Sequence, residues 1–231
     1  VKKAVGERLK AKYRLSWVPE TGSLHRIRFR ILKDRVTLLV DTSGEGLHKR
    51  GYRAQSNQAP IKETLAASLC QLSRLRSDGR LIDPFCGSGT LLVEGALLAQ
   101  RIAPGLHRSF TAQTWDSVPQ TLWQQERERA HSLERRDSGF SAQGFDVDPA
   151  SVALTLQNAR KAGVEDVVSA QVRDIRDFSQ EGTYGCVICN PPYGERLLDV
   201  RQAQELYQVM GTLFQPPAGM EFRDHHSGHR F

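Results

Sequence analysis

The chain has 231 residues, 39 % hydrophobic and 25 % charged, which supplies enough apolar side chains for a packed core and excludes wholesale disorder. No run approaches the roughly 18 apolar residues a membrane-spanning helix needs, and the basic start Val1 to Lys12 lacks the apolar stretch of a signal peptide, so the reading is cytoplasmic. The net charge of +6 is uneven: residues 1 to 60 hold 14 Lys and Arg against 5 Asp and Glu, while the remainder is net acidic. A basic module beside a near-neutral one is the electrostatic footprint expected of a nucleic-acid binder.

Lys2 to Tyr13 reads as a basic helix, followed by strands at Leu24 to Leu32 and Val36 to Asp41 joined by the turn Lys33-Asp34-Arg35. In the first strand Arg26, Arg28 and Arg30 alternate with Ile27, Phe29 and Ile31, so one face carries cations suited to phosphate. Thr42 to Pro60 is rich in Ser, Gly, Asn and Gln and reads as a linker, itself basic at His48, Lys49, Arg50 and Arg53. A domain boundary is therefore expected near residue 55.

Ile61 to Leu75 returns to helical periodicity through Leu65, Leu69 and Leu72 and leads into a short strand at Arg80 to Asp83. Gln100 to Ser138, with Trp115, Trp123 and a charged helical run, reads as an insertion. Next come a strand at Phe140 to Asp146 and a helix capped by Asp148, opened by Pro149 and stopped by Gly163, with Val152, Leu156 and Ala159 as its buried stripe. Strands at Val167 to Val172 and Gly185 to Cys189 complete an alternation that predicts an α/β fold with a parallel, doubly wound sheet. Cys186 and Cys189 form a C-x-x-C, but with no second pair at ligand spacing they read as buried thiols, as do Cys70 and Cys86, and no metal is expected.

The chemistry concentrates at strand ends. Asp83-Pro84-Phe85-Cys86-Gly87-Ser88-Gly89-Thr90 is a strand running into a glycine turn that opens a helix, where missing Cβ atoms let backbone N–H groups face a ligand. It has neither the Gly-Lys-Ser/Thr of a phosphate loop nor the third glycine of a dinucleotide fingerprint. An acid followed by a glycine turn suits S-adenosylmethionine, which carries an amino group, a sulfonium and ribose hydroxyls but no phosphate. Asp146 ends the next strand where such sheets bind ribose, and Asp174 ends a third, placed to accept from the adenine amino group.

The fourth strand ends in Asn190-Pro191-Pro192-Tyr193. Methylating an aromatic exocyclic amine requires that its nitrogen be aimed and its developing positive charge stabilised. The Asn190 side-chain carbonyl and the Pro191 backbone carbonyl supply two acceptors, the prolines stiffen them, and Tyr193 offers a stacking surface for an extruded base.

Together with Ile102-Ala103-Pro104-Gly105, Asp41-Thr42-Ser43-Gly44 and His48-Lys49-Arg50-Gly51-Tyr52-Arg53, these residues resemble the bacterial THUMP-domain class I methyltransferases that modify the guanine 2-amino group of large-subunit ribosomal RNA. The resemblance runs from about Lys2 to about Phe214. It implies a Rossmann-like class I methyltransferase sheet, C-terminally incomplete, over residues 56–215, preceded over 1–55 by a partial THUMP RNA-binding module and linker, with 216–231 an unpatterned tail. It also implies S-adenosylmethionine as cofactor, Asp83 to Thr90, Asp146 and Asp174 as its ligands, Asn190 to Tyr193 as the target-amine site, and ribosomal RNA as partner, met by Arg26, Arg28, Arg30, Lys49, Arg50 and Arg53. A DNA adenine methyltransferase shares the Asn-Pro-Pro-Tyr chemistry and is the alternative reading; a third is a fragment that only binds RNA. The resemblance leads one to expect a chain of marginal stability and weak activity, because the family continues past its end, and the tail histidines His225, His226 and His229 are not expected to hold metal.

Overall fold

The computed structural model describes residues 2–18, 21–53, 60–178, 185–192 and 200–214. The chain divides into two compact units: Val1–Gly44 with Phe110–Leu122, and Glu45–Ser109 with Trp123–Phe231. Glu45 to Arg53 thus pack with the second unit, and the division falls after Gly44, inside the stretch from Thr42 to Pro60 read as a linker.

In the first unit, α1 (Lys2–Tyr13) buries no residue, and β1 (Arg26–Leu32) pairs antiparallel with β2 (Arg35–Asp41) around a two-residue turn. Lys33 and Asp34 both take positive φ there, as the tight hairpin turn matching strand twist demands. The register sets Ile27 against Val40, Phe29 against Leu38 and Ile31 against Val36, so one hairpin face is wholly apolar. At the far end Asp41 accepts from the Ser43 and Gly44 amides, and residues 111 and 112 donate to Ser43 and Thr42. Trp115 stacks on His25 with ring centroids 4.5 Å apart, and its Nε1 donates to Leu24 O at 3.0 Å. The stretch read as one insertion is therefore split, because this tryptophan fixes residues 110–122 to the hairpin.

The second unit is built on four parallel strands in the order β5-β4-β3-β6: β3 (Arg80–Asp83), β4 (Ser141–Asp146), β5 (Val168–Val172) and β6 (Cys186–Val187). Helices α2 (Glu63–Leu72), α3 (Thr90–Ala99) and α5 (Pro149–Ala162) cover one face, around Leu81, Leu92, Val93, Ala142 and Ala159. Helix α6 (Val200–Leu213) covers the other through Leu206, Val209 and Met210 against Ile82, Phe145, Ile175 and Phe178. In β3 and β4 residues of opposite parity feed the two cores, Leu81 and Ala142 one and Ile82 and Phe145 the other, as a doubly wound sheet requires. Helix α4 (Gln120–Ser132) has no buried residue, although Arg127 donates to Leu106 O.

Two predicted stripes hold only in part. On α2 the buried positions are Glu63, Ala66 and Cys70, with Leu65 and Leu72 exposed. On α5 they are Ser151, Val152, Thr155, Asn158, Ala159 and Ala162, with Leu156 exposed. In both helices the inward face carries polar residues, Glu63 on α2 and Thr155 and Asn158 on α5, for a reason that the site supplies.

Candidate cofactor and target-amine site

Because the four strands run parallel, their carboxyl ends share one edge, and Asp83, Asp146, Asp174 and Asn190 stand at or just past those ends. The chain order reverses between β3 and β6, the switch point at which sheets of this kind bind ligands. Ile188 N donates to Ile82 O at 3.0 Å, so Asn190 follows two residues after a backbone group bonded beside Asp83. The Cys189 thiol is pushed up to about 12 by burial and by the charge of Asp83, a second sign that the two segments adjoin. Asn190, Pro191 and Pro192 are half-buried; Tyr193 lies outside the described residues.

The glycine turn is held from several sides. Cys86 N donates to Phe145 O at 2.9 Å, Gly87 N to Asp146 Oδ2 at 2.9 Å and Gly89 N to Cys86 O at 2.7 Å. Its carbonyls are gripped from α5: Thr155 Oγ1 donates to Gly87 O and Asn158 Nδ2 to Ser88 O, each at 2.9 Å. Gly89 has φ of +74°, and a Cβ there would lie 2.6 Å from Thr155 Cγ2, so only glycine lets α5 approach so closely. Thr155 and Asn158 were missed from the sequence; the signal was Ser151, Thr155 and Asn158 recurring at helical spacing on one stripe of α5.

Asp83 is 2 % exposed, and its Oδ1 accepts from Phe85 N at 3.0 Å. Burial raises its carboxyl to about 7 against the Phe85 hydrogen bond, with the charge of Asp146 raising it further. Asp146 is half-buried, its Oδ1 accepting from Asp148 N at 3.0 Å, so both oxygens keep spare lone pairs. Asp174 is partly exposed and caps a short 3-10 helix by accepting from Arg176 N at 2.9 Å. Cys86, behind the loop, is likewise pushed up to about 12 by burial, which favours the thiol over the thiolate.

The cations expected to meet RNA fall into different settings. Arg26, Arg28 and Arg30 share one exposed face of β1, although Asp41 holds Arg28 at 3.0 Å and lies 4.0 Å from Arg26. Lys49 is exposed and paired with Glu45 at 2.7 Å. Arg50 and Arg53 are each paired with a buried acid. Arg50 pairs with Glu94 on α3 at 3.3 Å, where the Tyr52 hydroxyl also donates at 3.1 Å, and the buried Glu94 carboxyl is still raised because desolvation outweighs both. Gly51 between them has φ of +104°, and a Cβ would strike His107 O at 2.0 Å, so the strap from Arg50 to Arg53 is a built element.

Residues 50–220 match the model of the RMKL-like methyltransferase domain. The chain belongs to that family. It is 39 % identical over 218 residues to a Bacillus subtilis protein named "Putative RNA methyltransferase YpsC", covering 94 % of this chain and 57 % of the relative. A Listeria monocytogenes structure described as a predicted N6-adenine-specific DNA methylase superposes with a TM-score of 0.87 at 44 % identity, over 92 % of this chain and 56 % of that one. SMU.472, described as a "putative methyltransferase complexed with SAH", matches with a TM-score of 0.85 at 38 % identity over the same shares. This chain thus spans a little over half the length of these relatives. TrmN from Thermus thermophilus, 18 % identical with a TM-score of 0.56, shares the Rossmann-like fold.

Proposed function

We propose that this chain is part of an S-adenosylmethionine-dependent methyltransferase acting on an exocyclic amine of a base in large-subunit ribosomal RNA, the guanine 2-amino group. The observation that carries this reading is the Ile188 N to Ile82 O bond, which sets Asn190-Pro191 beside the acid and glycine turn of β3. The residues fit the cofactor: a glycine loop with tethered carbonyls, and acids with spare acceptor capacity at three adjacent strand ends.

When bound, the cofactor supplies an electrophilic methyl group on sulfur. Asp146 would accept from the ribose hydroxyls, Asp174 from the adenine amine, and the loop from Asp83 to Thr90 would follow the amino-acid chain. The Asn190 side-chain carbonyl and Pro191 backbone carbonyl would each accept one hydrogen of the target amine, orienting its nitrogen and drawing off developing positive charge. In this reading the methyl group would go directly to the base nitrogen and not through an enzyme thiol. Arg26, Arg28, Arg30 and Lys49 would meet RNA phosphates, the three β1 arginines from a THUMP module.

The name of the Bacillus relative favours RNA. The description of the Listeria relative favours a second reading, the 6-amino group of adenine in DNA, with the same acceptors. Incubating the protein with tritiated cofactor and either undermodified ribosomal RNA or unmethylated DNA, then digesting to nucleosides, separates them. Label in guanosine of the RNA, abolished in Asn190→Ala, is the expected result. Label in DNA adenine, or turnover indifferent to Asn190→Ala, overturns it.

A further inference from the structure

Arg53 and Glu63 stand beside the cofactor loop, each with one side-chain atom that makes no hydrogen bond among the described residues. Arg53 Nη2 donates to Ile61 O at 3.1 Å and to Thr90 Oγ1 at 2.6 Å, and Thr90 Oγ1 lies 3.2 Å from Ser88 Oγ. The guanidinium is thereby fixed against the residues that end the glycine turn and begin α3. Arg53 Nε lies 3.4 Å from Glu63 Oε1, an ion pair whose side chains are 16 % and 4 % exposed. Yet Arg53 Nε and Glu63 Oε2 are both buried and have no hydrogen-bond partner among the described residues. The two charges offset one another, but one nitrogen of the cation and one oxygen of the anion have given up water without gaining a hydrogen bond, which buried polar atoms rarely do.

We infer that Arg53 and Glu63 form the receptor for the zwitterionic amino-acid end of the cofactor, an inference that rests on the S-adenosylmethionine reading above. One cation with a spare N–H and one anion with a spare oxygen, a few ångströms apart, are complementary to an α-carboxylate and an α-ammonium on one carbon. Neither the ribose nor the adenine carries two opposite charges. The first turn of α3, which Arg53 reaches through Thr90, adds a field favourable to the carboxylate. An arginine that the sequence suggests for RNA phosphate thus serves the cofactor instead.

The test uses two ligands that differ only at that end: S-adenosylhomocysteine, which keeps the amino acid, and 5′-methylthioadenosine, which lacks it. Calorimetric titration of the parent, Arg53→Gln, Arg53→Lys and Glu63→Gln with each is expected to show tighter binding of S-adenosylhomocysteine by the parent. Arg53→Gln and Glu63→Gln lose about 10- to 100-fold of that affinity, the worth of a hydrogen bond to a charged group. Methylthioadenosine affinity stays within about twofold throughout, and Arg53→Lys restores part of the loss. Equal weakening of both ligands would mean that the pair merely props the loop and would overturn the inference. So would a parent that binds both ligands equally, a result that needs no folded variant. A parent that binds neither ligand sinks the cofactor reading itself, a pattern distinct from the other two.

Discussion

Gly87 and Asp146, 59 residues apart in the chain, are joined by one hydrogen bond of 2.9 Å from the backbone amide of the first to the carboxylate of the second. That bond ties the turn after β3 to the end of β4, so the acid assigned to the ribose also sets the height of the loop. Asp146→Ala removes both roles. It is expected to destabilise the protein by about 2 kcal/mol, as loss of a charge-assisted hydrogen bond does, and to weaken S-adenosylhomocysteine binding more than tenfold. Urea denaturation and calorimetry check the two effects. Full cofactor affinity in a less stable variant would remove Asp146 from the ribose site.

Arg50 and Arg30 are both basic, and the sequence offers no way to tell which meets RNA. In the structure Arg50 neutralises a carboxylate that is 2 % exposed, while Arg30 stands exposed on β1. Arg50→Ala leaves Glu94 buried without its counterion and is expected to cost about 3 kcal/mol, with no change in the salt dependence of RNA binding. Arg30→Ala is expected to leave the melt unchanged and to lower the slope of log K against log salt by about one phosphate contact. Exchange of these outcomes between the two variants would reverse the assignment.

The strand and helix order, the glycine turn and the acids at strand ends were legible because periodicity and caps such as Asp148 and Gly163 report local structure directly. What was not legible depended on partners distant in sequence. Leu156 fits the apolar period of α5, but Thr155 and Asn158 face inward because the carbonyls of Gly87 and Ser88 need donors. Likewise Glu63 replaces Leu65 on the inward side of α2 because Arg53 waits there. Arg50 and Arg53 looked like linker cations because an ion pair such as that to Glu94, 44 residues away, leaves no mark in composition.

The apolar hairpin face, with Leu38 70 % exposed and Ile31 65 % exposed, contributes little to the stability of this chain as it stands. Leu38→Asp is expected to change the melting temperature by under about 2 °C, a surface-sized effect. Leu92→Ala, at a fully buried site on α3, is expected to cost about 3 kcal/mol. Differential scanning calorimetry compares them. A large loss at Leu38 would show that the face is covered in solution.

Asp83 gives the sharpest pH dependence. Its carboxyl titrates at about 7 in the folded protein because burial disfavours the charge, against about 3.9 in the unfolded chain. Below pH 4 both states hold the proton, and Asp83 has no effect on stability. Between about pH 4 and pH 7 the unfolded chain has released its proton while the folded one keeps it, so stability falls as pH rises through that window and levels off above it. Asp83→Asn keeps an oxygen for the Phe85 amide and cannot ionise. The variant is therefore expected to match the parent near pH 4 and to exceed it by about 4 kcal/mol at pH 8, three pKa units converted to free energy. Paired urea titrations at pH 4, 6 and 8 measure the gap. If it stays constant across the three, Asp83 is ionised throughout, and some cation or water must satisfy it inside the fold.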